Sequence, residues 1–146
     1  MDVLNVTSYL PHRPPIVVID KVVDIIPGQS GTGIKHFKEN DSFFQGHFPG
    51  FAILPGIYVI EAFAQTAMIV VAVDSPSPSE PRVGFLAKVE QMSFYRKIEP
   101  GQEVTFTTHF NKKIGAFILF DCIAEHWRER CAQGEIILTA NPQTPT

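Results

Sequence analysis

Cysteine, positive charge and glycine-rich phosphate loops are what this sequence has little of, and each shortage removes a class of function. Cys122 and Cys131 are the two cysteines of 146 residues, too few for a disulfide framework, and their spacing is not that of a zinc site. A formal net charge of −3 lacks the basic excess of a nucleic-acid binder. Gly28, Gly31 and Gly33 fit neither a dinucleotide fingerprint nor a P-loop, and no Gly-Lys-Ser/Thr follows them. They read as hairpin glycines. The opening "MDVLNVTSYLPHRPP" has no basic stretch leading into an apolar run, so no secretory signal is expected. The sequons at Asn5 and Asn40 are then accidental, and a reducing cytoplasm is the expected compartment. No internal repeat and no linker divides the chain, which is expected to be one domain over 1–146 with a frayed tail over 141–146.

What is present is a globular composition, 45% hydrophobic and 18% charged, in a chain long enough for a real core. "IVVIDKVVDII" (16–26) is β-branched and predicts a strand, with a second around 32–38 after the Pro27-Gly28 turn. Further strands are expected near 82–95, 103–111, 116–126 and 131–139, with "EPGQ" and "NKKIG" as breaks. Cys122 and Cys131 would then face each other as free thiols across a hairpin turning near His126-Trp127.

Between these strand runs lies one long apolar stretch, 52–73. Its 22 residues are long enough to cross a membrane. Glu61 and Gln65 inside it, and flanks without Lys or Arg, favour instead the buried centre of a water-soluble fold. Pro55 suits the start of that helix, which should run to about Val73. The expected architecture is α+β, one antiparallel sheet packed against a single central helix.

An ionised carboxylate in such a helix is costly unless something pairs with it or uses it. Gln65 at i+4 and Tyr58 at i−3 share the face of Glu61, and Gln65 is placed to orient its carboxylate. Gly56 falls in the first turn, where backbone N–H groups have no intrahelical partner. Its missing side chain lets a ligand oxygen come close. His47 stands on the preceding loop, next to Pro49 and Gly50. Together they make a base, an acid and an oxyanion donor, a set suited to proton abstraction beside a carbonyl. A loop histidine and a buried, paired glutamate fit the same spacing without any catalysis.

"LPHRPP", "FFQGHFPG", "LPG", "EAFAQ" and "FLAKVEQMSFYRKIEPGQ" resemble the β-hydroxyacyl-acyl carrier protein dehydratases of bacterial fatty acid synthesis, the FabZ type. The likeness runs from about Leu10 to Ala140. Most specific is His-Phe-Pro-Gly with a glutamate fourteen residues after the histidine. The resemblance implies a hot-dog fold, an antiparallel sheet wrapped around a long central helix. It also implies dehydration of (3R)-hydroxyacyl thioesters on an acyl carrier protein to trans-2-enoyl thioesters, without metal or organic cofactor. His47 would be the catalytic histidine and Glu61 the catalytic acid of the neighbouring subunit. Gly56 N–H would hold the thioester carbonyl and Gln65 would support Glu61. Phe48, Phe51, Pro55 and Tyr58 would be the further substrate-binding or supporting positions. The implied assembly is a homodimer or a trimer of dimers, a hexamer, without nucleic acid or a membrane span.

Some positions depart from the family. Glu61 stands where the isomerase-type dehydratases have Asp, so no double-bond migration is expected, and the Asp/Asn/His signature of double-hot-dog hydratases is missing. Ala52 and Lys97 replace prolines, Phe51 a position that is often polar, and Tyr58 a small aliphatic. Tyr58 and Phe63 are expected to add bulk beside the acid and to narrow or redirect the acyl tunnel. A dehydratase of a specialised lipid or polyketide pathway is therefore an equal reading to the housekeeping enzyme, and a non-catalytic acyl-thioester-binding partner subunit is the alternative from another class. Arg96 and Lys97, with Arg13, Lys112 and Lys113, form either a basic rim for the acidic carrier protein or a solvated face.

Overall fold

A computed structural model describes residues 17–44, 53–74 and 85–139. Six strands form one antiparallel sheet: β1 (Lys21–Ile26), β2 (Ser30–His36), β3 (Phe85–Phe94), β4 (Glu103–Ile114), β5 (Phe117–His126) and β6 (Glu129–Thr139). Their spatial order is β1-β2-β4-β5-β6-β3, which leaves β1 and β3 as the edges. Among the described residues one helix, α1 (Gly56–Val73), lies against the sheet, and a 3-10 turn (Ser42–Phe44) precedes it. This is the α+β arrangement expected of the sequence.

Alternation builds the inner face. Val104, Phe106 and Thr108 of β4, Phe120, Cys122 and Ala124 of β5, and Ala132, Ile136 and Leu138 of β6 are buried against α1. Phe37 sits edge-on to Phe43, Phe44 and Phe106, with ring centroids 6.1–6.5 Å apart, and so ties the 3-10 turn to the sheet. Lys35 braces the same corner, 3.1 Å from Asp20 and 3.9 Å from Asp41.

The glycine reading needs correction. Gly28 turns the β1–β2 hairpin at φ 73°, but Gly31 and Gly33 lie inside β2, which begins at Ser30 rather than 32. Both face the helix. A Cβ on Gly31 would stand 2.7 Å from Val70 Cγ2, and one on Gly33 would run into Thr66 Oγ1. These glycines let α1 approach the sheet closely. β1 starts at Lys21 rather than 16, because among the described residues Val17–Ile19 are not paired as a strand. β4 runs on through "NKKI" to Ile114, since Lys112 and Lys113 pair with Leu119 and Ile118, and only Gly115-Ala116 turn. Ladder hydrogen bonds override a polar local sequence there.

The β5–β6 hairpin turns at Trp127-Arg128, and Cys122 pairs with Gly134, not with Cys131. The turn centres one residue later than expected, which moves the partner of Cys122 by two positions, and a register shift between Ala124 and Glu125 moves it by one more. Both thiols are free and buried. Trp127 and Arg128 have φ of 54° and 66°, a left-handed conformation costing roughly 1 kcal/mol or more for each non-glycine residue.

α1 is long and apolar enough to cross a membrane, and half of it is buried within the chain. It is the core helix of this fold. Of its residues, Phe63, Ala67, Ile69 and Val70 are wholly enclosed.

Candidate active site

Pro55 caps α1 in extended conformation (φ −61°, ψ 141°), one residue ahead of the first helical position, Gly56. Leu54 N–H donates to Ile98 O at 2.8 Å and so pins the approach to the helix against the β3–β4 connection. The start of the helix at Gly56 lines a cleft of about 440 Å³, walled by Leu54, Val59, Phe94, Arg96, Ile98 and Ala132 among others. Gly56 itself lines this mostly apolar cleft, and the N-terminus of a helix is a setting in which a developing oxyanion can be stabilised. Phe94 lies over Gly56: a Cβ there would meet Phe94 Cζ at 3.1 Å and Cε1 at 3.2 Å. A methyl group at Gly56 would thus press on this ring.

Five residues along, Glu61 is half-buried. Gln65 Nε2 donates to Glu61 Oε2 at 2.9 Å, and Val18 N–H donates to Gln65 Oε1 at 2.9 Å. The backbone donor fixes which end of the amide is which, so the NH2 group must face the carboxylate. Gln65 is wholly buried, and the pair is a preset support for a charge. Glu61 does not belong to the wall of the Gly56 cleft. Five residues correspond to about 140° around the helix, so the Glu61 side chain does not stand on the Gly56 side of it.

Tyr58 turns towards the 3-10 turn, its ring 4.8 Å from Phe43. Phe63 is core, edge-on to Phe106 at 5.7 Å, so it adds no bulk beside the acid, contrary to the expectation from its position in the sequence. Two residues from Glu61 is about 200° around a helix, on the opposite side.

Arg96 and Lys97 line the cleft, and Arg96 is paired with Glu129 at 2.5 Å. Lys112 and Lys113 do not join them. They lie six and seven residues beyond Phe106 on β4, roughly 20 Å along the strand from the level of Phe94 and Ala132. His47, Phe48, Phe51 and Arg13 lie outside the described residues.

Phe94, Ile98, Cys131 and the Val18 N–H escaped the sequence reading. Phe94 stands in the family-like "FYRK" run, but alternation alone did not reveal that it covers a helix start. A backbone donor such as Val18 leaves no signal in residue types. Burial pushes the Cys131 thiol above its usual value, opposed by a backbone hydrogen bond at His126 and by the Arg96 charge. It is part of the cleft wall.

Residues 10–136 match the FabA-like domain, and the chain belongs to that family. Among curated proteins it is 33% identical to the 3-hydroxyacyl-[acyl-carrier-protein] dehydratase FabZ of Teredinibacter turnerae, over 96% of this chain and 92% of that one. It is 41% identical to the protein of the same name from Oceanobacillus iheyensis, over 71% and 73%. Among solved structures, the dehydratase heterocomplex ApeI:P from Xenorhabdus doucetiae superposes with a TM-score of 0.83 at 17% identity, covering 97% of this chain and 93% of that one. An uncharacterised protein from Pyrococcus horikoshii gives 0.70 at 13% identity, covering 98% and 97%. These two likenesses carry the fold, a sheet wrapped on one helix.

Proposed function

We propose that this protein removes water from 3-hydroxyacyl thioesters carried on an acyl carrier protein, giving trans-2-enoyl thioesters. The observation that carries this reading is the Val18–Gln65–Glu61 hydrogen-bond chain, in a member of a family whose curated relatives are named for that reaction. A carboxylate whose orientation is fixed in advance suits acid–base work on a small electrophile.

In this mechanism the thioester carbonyl lies against Gly56 N–H, which makes the α-proton more acidic as negative charge grows on the oxygen. His47 takes that proton. Glu61, directly or through water, assists departure of the β-hydroxyl. The double bond forms between the α and β carbons as the C–O bond breaks, and no electron acceptor is required.

The working unit is a homodimer whose sites are shared between subunits. Two observations support it. Glu61 is not among the described residues that line the Gly56 cleft of its own chain, so a site that uses both can draw on a second copy. β3 is a ten-residue open edge with Phe85 and Phe94 56% and 50% exposed, suited to pairing with a second copy. A trimer of such dimers is compatible with this unit. The half-buried core helix α1 and the two free thiols fit a cytoplasmic setting.

Incubation with 3-hydroxyacyl carrier proteins of graded chain length, followed by mass spectrometry, tests the reading. Loss of water from at least one chain length is expected. Inertness towards all of them would favour a binding subunit without turnover.

A further inference from the structure

The β5–β6 turn has features that the dehydration chemistry does not use. Trp127, the one tryptophan of the sequence, is 84% exposed at its tip. A two-residue turn with positive φ at both positions favours Asn-Gly, and here it holds Trp127 and Arg128. The ring gains little packing in return. It meets only His126 edge-on, at 6.0 Å, among the described aromatic contacts. A backbone held in an unfavourable conformation to present a bare aromatic side chain is a pointer to binding.

Beside this turn lies a second cleft, of about 520 Å³, with Trp127, His126 and Tyr95 on its walls. It shares Tyr95, Arg96, Lys97 and Cys131 with the cleft at Gly56, so the segment from Tyr95 to Lys97 is one wall with a face in each. We propose that the Trp127–Arg128 turn and this second cleft form the docking surface for the carrier protein that presents the thioester. The inference rests on the dehydratase reading. A chain tethered to a carrier has to pass the mouth of the Gly56 cleft, and the carrier's body must then lie against the neighbouring surface. The cleft holds Arg96 and Lys97 against Glu99 and Glu129, with Arg96 paired to Glu129, and Arg128 on the turn leaves the whole surface one positive charge ahead in a chain of net charge −3. An acidic carrier meets cations there, with Trp127 and Tyr95 as flat anchors.

Trp127 is its own reporter. Its emission should shift to the blue, saturably and less at high salt, when a tryptophan-free 3-hydroxyacyl carrier protein is added. No change at carrier concentrations that saturate turnover would overturn the proposal. A shift produced by raising the protein's own concentration would also overturn it, because a second copy would then cover the turn. A variant combining Trp127→Asn with Arg128→Gly installs the residues this turn prefers, so it should melt at or above the wild-type temperature. In it, the ratio of kcat/KM for the carrier-linked substrate to kcat/KM for an N-acetylcysteamine thioester should fall roughly tenfold. An unchanged ratio would refute the docking surface while leaving the dehydratase reading intact. Wild-type protein inert towards both thioesters would refute that reading, and the docking proposal with it.

Discussion

On the side of α1 that meets β2, Thr66 and Val70 stand over Gly33 and Gly31, and contact is achieved by removing side chains from the sheet. On the side that carries Glu61, contact is achieved by polar groups, a buried amide held between a backbone N–H and a carboxylate. Thr66 shows the contrast within one turn of Gln65: its hydroxyl donates to Ala62 O at 2.8 Å and so is satisfied inside the helix. Gln65 reaches outward in both directions. One face of the helix is therefore specified by volume and the other by donor and acceptor geometry, and substitutions should separate the two.

The largest effect is expected from Glu61→Gln. The change is nearly isosteric, so the fold should persist, while turnover should drop roughly a hundred- to ten-thousand-fold. Circular dichroism and the thioester assay together measure this, and a fully active variant would take Glu61 out of the mechanism. Gly33→Ala acts on the other face. Its methyl group would run into Thr66 and stand 3.1 Å from Ile19 Cγ2, and overpacking of this kind costs about 1–3 kcal/mol. Urea unfolding should show that loss, with kcat per folded molecule close to wild type. Equal stability would mean that the helix–sheet spacing is looser than described.

Gln65→Met sharpens the comparison because it keeps volume and removes polarity. It takes away the acceptor of the Val18 N–H, at about 1–3 kcal/mol, and the donor to Glu61. Stability and kcat should both fall, whereas Gly33→Ala moves stability alone. The smallest effect concerns Cys122. Burial, reinforced by Asp121 and Glu135, pushes its thiol upward from 9.0. The folded state thus favours the neutral thiol. That contribution is complete below pH 9.0 and declines as pH rises above it. Native protein should resist thiol reagents at Cys122 at neutral pH, and unfolding midpoints should fall above pH 9.0.

Much of the architecture was legible because it rests on pattern. The apolar run ending at Val73, with a proline at its start, gave the helix almost to the residue. The alternating β4, β5 and β6 followed from β-branched runs between turn residues. What escaped depended on partners distant in the chain. Gly31 and Gly33 looked like turn glycines because nothing local says that Val70 and Thr66 lie above them. "NKKI" looked like a break because its strand is held by Phe117–Leu119 opposite. The same holds at the site. Gln65 at i+4 from Glu61 was readable from helix periodicity, but the Val18 N–H that fixes it is a backbone group 47 positions away. Phe63 was misplaced beside the acid because sequence proximity was taken for proximity on the helix surface.

The central claim is that Glu61 of one chain works with His47 of its partner, and complementation tests it most directly. His47→Ala and Glu61→Ala are each expected to be inactive. Unfolded and refolded together, about half of the dimers should be mixed, and each mixed dimer recovers one intact site of its two. About a quarter of wild-type activity should return by that counting. Heterodimers that form and remain inactive would place His47 and Glu61 in the same site of one chain, and the shared-site account would be wrong.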